Sequence, residues 1–312
     1  MAEISIGSAL GSGFNLIGRR PFSVLVWGLV RMALVVAAVA MLAPFYIDMF
    51  ATFARSAQAG ASGPPDFSAM MPRMMAMQGL AQLVNILQLL VGAVIYCAVF
   101  RAVLHPDRSA FAYLRVSAPE LFLVVLIFAG SIALVFAILL VALPIGIVIG
   151  IVAATSHGSG VGFAIFLPIL ILVLLIAILI VALRFSFVGP MMVDDGKFHL
   201  FESWNLTKGH TGSLFVIALG LFGIALVAEL VLGVILFGLG AAMLGAAAGG
   251  FDHLPAFFSQ PPMVIFQALA PGLIVYAVLA VPLTGCAVAI FAAPWAHAYR
   301  DLAAGDKSET FA

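Results

Sequence analysis

Charged side chains are scarce in this 312-residue sequence: Asp, Glu, Lys and Arg make up 8% of it, whereas 65% of the residues are hydrophobic. The mean hydropathy is +1.26. Because soluble domains carry about a quarter charged residues, this composition excludes a soluble globular enzyme and indicates a protein of the lipid bilayer. Apolar runs recur along the whole chain and leave no room for a separate soluble domain, which sets aside most enzyme classes.

Cysteine is also rare, and the chain has no excess of either charge. Cys97 and Cys286 both lie in apolar runs without CxxC spacing, which argues against a disulfide framework or a zinc site. The 13 basic and 13 acidic residues balance, so nothing favours nucleic acid as a partner. No P-loop, GxGxxG or GxSxG motif occurs in the context that its chemistry requires. The sequence therefore predicts a non-enzymatic protein without a cofactor.

Six apolar stretches are each long enough to cross a bilayer, which takes about 20 helical residues. They run approximately over 21–50, 77–103, 121–154, 161–193, 214–248 and 263–297. The predicted fold is all-α, a polytopic bundle of six transmembrane helices.

The basic residues predict the orientation of this bundle, because Lys and Arg near helix ends favour the cytoplasmic side. Ten of the 13 fall on one side: Arg19, Arg20, Arg101, Arg108, Arg115, Arg184, Lys197, Lys208, Arg300 and Lys307. We therefore expect both termini to be cytoplasmic. The expected organisation is an amphipathic segment over 1–20, the membrane domain over 21–299 and a cytoplasmic tail over 300–312.

A weak internal repeat accompanies the even-numbered helices. Each ends in an aromatic or apolar residue and an arginine, followed by an aspartate, as in Arg101 with Asp107 and Arg300 with Asp306. With the amphipathic entry Ile6, Leu10, Phe14 and Ile17, this predicts three tandem units, each an interfacial helix followed by a membrane hairpin. Coincidence is the alternative, because the rule for basic residues also places arginines there. The predicted interfacial collar consists of Phe14, Arg101, Asp107, Arg184, Asp194, Trp204 and Arg300.

The stretch 184–214 carries a family resemblance. It contains Pro190, Val193-Asp194-Asp195-Gly196 and Phe201-Glu202-Ser203-Trp204-Asn205-Leu206-Thr207-Lys208-Gly209, and the chain ends with Ala296-His297-Ala298-Tyr299-Arg300-Asp301-Leu302. These segments resemble bacterial six-helix membrane proteins, including the YciC-like proteins and the membrane domain attached to some glycerophosphodiester phosphodiesterases. The resemblance implies a multi-pass protein of the bacterial inner membrane. It transfers no catalytic residue, because the phosphodiesterase chemistry belongs to a separate soluble domain.

Two ionisable residues lie inside predicted spans, where charge is costly and marks candidate function. Arg31 and Glu229 lie at similar expected depths, and a long arginine side chain can bridge tilted helices. One interpretation is structural: the pair joins the first and fifth helices, or Arg31 snorkels to the interface. In the other, Glu229 carries a proton or cation and Arg31 binds an anionic headgroup or substrate.

Amides form a polar stripe on the second predicted helix. Gln78, Gln82 and Asn85 recur at about one turn, with Gln88 slightly off the line. Such amides hydrogen-bond a neighbouring helix or line a wet cavity together with Gln267 and Thr284. The candidate pathway is therefore Arg31, Glu229, Gln82, Asn85 and Gln267.

A methionine cluster precedes this stripe. Thioethers bind Cu(I), and Met70, Met71, Met74 and Met75 recur at helical spacing, with His157 or His253 as further ligands. The alternative is an apolar helix entry.

The expected partners overall are membrane lipids, a partner membrane protein or a second copy of the chain. The leading hypothesis is an accessory or membrane-organising protein, and the alternative is a transporter or lipid-binding permease.

Overall fold

The computed structural model describes residues 4–58, 67–107, 110–155 and 161–310, and all regular elements in these ranges are helical. The α-helices are α1 Ile6–Arg19, α2 Pro21–Gln58, α3 Phe67–Leu104, α4 Ala118–Thr155, α5 Val161–Arg184, α6 Val188–Asp195, α7 Leu200–Leu206, α8 Thr211–Ala248, α9 Leu254–Phe258 and α10 Pro262–Thr310. Two 3₁₀ helices cover Ala110–Tyr113 and Phe251–His253.

Six of these segments are long and apolar enough to cross a membrane, which confirms the all-α prediction and the number of spans. The spans are Pro21–Ile47, Met74–Leu104, Phe111–Pro144, Ile171–Asp195, Thr211–Ala248 and Met263–Ala304. Every residue from 127 to 140 on α4 is exposed, so this helix offers apolar side chains on all sides. That pattern is typical of a helix surrounded by lipid. The chain is thus a multi-pass membrane protein.

The fourth predicted stretch, 161–193, is not one continuous helix. Residues 185–187 form a turn between α5 and α6. Pro190 explains the break, because its ring conflicts with the carbonyl four residues earlier and it donates no hydrogen bond. Within this turn, the Ser186 hydroxyl donates to the Leu183 carbonyl at 2.8 Å.

The last helix, α10, continues through Arg300 to Thr310, so it contains residues on both sides of the domain boundary predicted at 299.

Tight packing is concentrated on one face of the molecule, which we call the collar face: the odd-numbered spans begin there and the even-numbered spans end there. One core cluster joins the end of α3 to Trp27 and to a row of alanines on α10, Ala289, Ala292, Ala293 and Ala296. A second joins the ends of α5 and α10 to the beginnings of α1 and α8. These cores fix how the spans enter the bilayer.

The helices α2 and α10 cross in close contact. A Cβ atom added to Gly28 would lie 2.0 Å from the Val281 carbonyl oxygen, and one added to Gly285 would lie 2.1 Å from that of Val24. Only glycine fits at both positions. The backbones therefore meet directly at this crossing, as small residues allow in membranes.

The amphipathic helix α1 packs on the bundle mainly through small residues that lie beside its apolar stripe. Its buried residues are Ala9, Ser12, Gly13 and Leu16, whereas Phe14 is 52% exposed. Gly13 approaches the α10 backbone so closely that an added Cβ would lie 2.5 Å from Cα of Ile290. Ile6, Leu10 and Ile17 of the predicted stripe are partly buried beside these residues, so small side chains make the closest approach while Phe14 stays on the outside.

Candidate functional site

Arg31 lies at an opening between α2 and α3 and is exposed. A cavity of about 390 Å³ adjoins it, and Asn85, Gln88, Tyr96 and, from α4, Ile127 contribute to the wall. We call this cavity the Arg31 pocket. Its polar groups are one guanidinium, two amides and a phenol, all of which can donate hydrogen bonds. This donor set suits an anionic or strongly polar group.

A larger cavity, of about 750 Å³, continues from the Arg31 pocket along α2 and α3 towards α10; we call it the groove. It is lined by Val35, Ala38, Val39, Leu42, Ala43, Tyr46, Ile47, Ala81, Val84, Asn85, Gln88, Phe258, Ser259, Gln260, Ile265, Phe266 and Leu269. Its volume is in the range of ligand sites in proteins, about 300–1,000 Å³. Most of this wall is apolar.

The two cavities share Val35, Asn85 and Gln88 in their walls, so the polar pocket lies at one end of the apolar groove. From Arg31 to Ile47 the distance along α2 is about 24 Å, at ~1.5 Å per helical residue. The site therefore has the outline of an amphiphile. A ligand of matching shape would place its polar end near Arg31 and its apolar chain between the helices.

The remaining candidate amides lie outside the walls of these two cavities. Gln82 and Gln267 are exposed on α3 and α10. Thr284, which the sequence grouped with them, donates to the carbonyls of Ala280 and Val281, both at 2.9 Å. Of the predicted pathway, the structure thus brings together Arg31 and Asn85.

Glu229 lies elsewhere, exposed on α8. That helix packs on α1, α5 and α10, whereas the helix of Arg31 packs mainly on α3 and α10. Among the described side chains, no ion pair joins Arg31 to Glu229. The proposed bridge between the first and fifth spans is therefore not formed.

The methionines predicted as Cu(I) ligands begin α3. Met71, Met74 and Met75 are exposed, whereas the side chain of Met70 and all of His157 lie outside the described residues. Over the described part of the chain, no group of three or more His, Cys, Asp or Glu side chains is arranged to hold a metal. Thioether ligation stays a prediction from the sequence.

The collar face contains a buried ionic network that the sequence analysis did not identify. Arg101 pairs with Glu120, and its guanidinium also donates to Ser117 Oγ at 3.2 Å and to the Tyr113 carbonyl at 3.3 Å. Glu120 in turn accepts hydrogen bonds from the amide and hydroxyl of Ser117 at 2.9 and 2.7 Å. The S-x-x-E motif before an apolar run was a usable signal, because it is typical of a helix start.

The other residues of the predicted collar make different contacts with their neighbours. Asp194 accepts a hydrogen bond from the Tyr299 hydroxyl at 3.1 Å and lies 3.4 Å from His105 Nε2, which ties α6 to the ends of α3 and α10. Arg184 lies 5.5 Å from the centre of the Trp204 ring. Asp107 and Arg300 are exposed.

His199 is held between two carboxylates after α6. Its Nε2 pairs with Asp195, and its Nδ1 lies 3.1 Å from Glu202 Oε1, close enough for an ion pair but outside hydrogen-bond geometry. Glu202, with Asp195, raises the pKa of His199 above its ordinary value, although burial works against this. The same contact lowers the pKa of Glu202.

Comparisons of this chain with protein-family models, with curated proteins and with solved structures each found no match.

Proposed function

We propose that this chain is a non-enzymatic integral membrane protein that binds a membrane amphiphile in the groove and the Arg31 pocket. The observation that carries the proposal is the 750 Å³ apolar groove, which shares Asn85 and Gln88 with the pocket of Arg31, an arginine that forms no ion pair with the residues that the structure describes. We place it in a bacterial inner membrane with the collar face towards the cytoplasm, as the distribution of basic residues favours.

The polar end of the site provides the selectivity. Lipid tails are as apolar as the groove, so contacts between the groove and an acyl chain distinguish little between ligands. Hydrogen bonds to a charged group contribute about 1.5–3 kcal/mol each. An acidic headgroup at Arg31 also offsets the cost of a guanidinium within a span. The preferred occupant is therefore an anionic amphiphile.

A transporter that uses Arg31 and Glu229 jointly has less support. It requires both side chains on one pathway, and they lie on helices that face different parts of the bundle. An accessory role, in which the bound amphiphile or the collar engages a partner, does not require Arg31 and Glu229 on one pathway.

Native mass spectrometry of the protein, released gently from its own membrane, tests the proposal. We expect a retained lipid of defined mass in the wild type. It should be lost in Arg31→Gln and in Ala43→Phe, which fills the groove. Ala40→Phe is the matched control, because Ala40 lies on the same helix but outside the groove wall. A wild type without bound lipid, or equal retention in all variants, would refute the proposal.

A further inference from the structure

A third cavity lies on the collar face, apart from the groove. It has a volume of about 610 Å³ and joins the end of α1, the beginning of α2 and the loop before α4. Arg19, Arg20, Phe22, Ser23 and Phe111 are in its wall. The first span begins directly after Arg20 and the third begins at Phe111, so the cavity opens where spans enter the bilayer.

In the part of the chain that the structure describes, no acidic side chain compensates the charge of this cavity. No ion pair involves Arg19 or Arg20 within the described ranges, and Asp107, although close in sequence to the loop, pairs with neither. Arg20 donates to the Pro106 carbonyl at 3.1 Å, which positions one guanidinium, whereas Arg19 is exposed. Two positive charges at a span boundary attract anionic lipid.

The aromatic part of the wall is held in place by a strained loop. Phe111 has φ 53° and ψ 41°, and Ala112 and Tyr113 also have positive φ values, which non-glycine residues rarely adopt. The Trp27 indole donates to the Ala112 carbonyl, and the Tyr113 hydroxyl donates to that of Pro106, both at 2.9 Å. The result is a Phe111 side chain that is 88% exposed.

The exposed aromatic rings beside Arg19 and Arg20 match the apolar and charged layers of a phospholipid. Phe22 is 73% exposed, so both phenylalanines are free to contact the glycerol and upper acyl region. The arginines are placed to bind the phosphate. We infer that this cavity binds the phosphodiester headgroup of an anionic phospholipid of the adjacent leaflet. This site is independent of the groove, so either can fail without the other.

Lipid titration of the purified full-length protein in detergent tests the inference. We would measure binding of dioleoyl phosphatidylglycerol and of dioleoyl phosphatidylcholine by native mass spectrometry. The phosphatidylglycerol should bind more tightly, and Arg19→Gln should weaken it about fivefold, as expected for one interfacial arginine. The control is Lys208→Gln, because Lys208 is exposed on the same face but lies outside this cavity. Equal binding of the two lipids, or equal loss in both variants, would overturn the inference.

Two further experiments test the role of Phe111 and whether the bound phosphate belongs to a lipid or to a free anion. Phe111→Gly removes the ring and relieves the backbone strain, so it should raise the melting temperature while weakening phosphatidylglycerol binding. Unchanged binding would contradict the role of Phe111. Millimolar inorganic phosphate should leave lipid binding unchanged. Displacement of the lipid by phosphate would assign the cavity to a free anion and overturn the lipid assignment.

Discussion

Glu120 is the most deeply buried charged residue of the collar face, at 2% exposed. Its carboxylate binds Ser117 on its own helix turn and Arg101 on the neighbouring span, so it links the loop after α3 to the start of α4. Removing one partner of a buried pair leaves an uncompensated charge and costs about 3–5 kcal/mol. The network therefore stabilises the arrangement of these helices only while both partners are present.

We predict that Arg101→Leu destabilises the protein by about 3 kcal/mol, because Glu120 is then left buried without a counter-charge. The double variant Arg101→Leu with Glu120→Gln should recover part of this loss. Thermal unfolding in detergent of the wild type, both single variants and the double variant measures the coupling. Purely additive losses would show that the two side chains do not depend on each other.

His199 provides a pH-dependent contact on the same face. Its pKa is raised by Glu202 and Asp195, so its contribution to stability is complete below the ordinary histidine value of 6.5 and is lost as the pH rises through the raised pKa. For Glu202, whose pKa is lowered, the sign is opposite: the contribution is lost as the pH falls through the lowered pKa. His199 and Glu202 are therefore both charged at pH values between the lowered pKa of Glu202 and the raised pKa of His199.

We predict that His199→Gln lowers the melting temperature at pH 6 but has little effect at pH 9. The free-energy change should stay below about 1 kcal/mol, as for other partly exposed ion pairs. The control is His253→Gln, because His253 forms no ion pair within the described structure. A His199→Gln effect independent of pH would mean that the contact is steric rather than ionic.

At the scale of helices, packing is decided by small residues more than by apolar ones. Two glycine pairs in the sequence, 146/150 and 245/249, have the four-residue spacing that lets helices approach closely, yet Gly249 has φ 76° and ends α8, and nothing lies within 4 Å of a Cβ added to Gly146. The actual crossing uses Gly28 and Gly285, which are separated by most of the chain. Spacing within one helix shows that a close approach is allowed, but it does not identify the partner.

We predict that Gly28→Ala destabilises the bundle by at least about 1–3 kcal/mol, the usual cost of overpacking, because the new methyl group would meet a backbone carbonyl. Gly223→Ala on α8 is the matched control: it meets nothing within 4 Å and should be neutral or stabilising. Melting temperatures of both variants in detergent provide the comparison. If Gly28→Ala were as stable as the control, the α2 and α10 backbones would have to lie further apart.

For the whole molecule, the apolar runs predict the spans well, because helix length and hydropathy are local properties of the sequence. The packing between spans is not a local property of the sequence and is therefore harder to predict. Arg31 and Asn85 were predicted as site residues, but their location at the end of a groove depends on how α2, α3 and α10 diverge away from the collar face. Glu229 shows the same limit, since the sequence marks it as an ionisable residue within a span but does not show which side of the bundle it faces.

Photolabelling with a lipid analogue measures whether an amphiphile lies along the groove. A palmitic acid carrying a chain-terminal diazirine would be added to membranes containing the protein, irradiated, and its adducts mapped by peptide mass spectrometry. We predict adducts concentrated at residues 35–47 of α2 and 81–88 of α3, lost in Ala43→Phe and retained in Ala40→Phe. Adducts spread evenly over lipid-facing helices, including residues 128–140 of α4, would show that the groove holds no amphiphile.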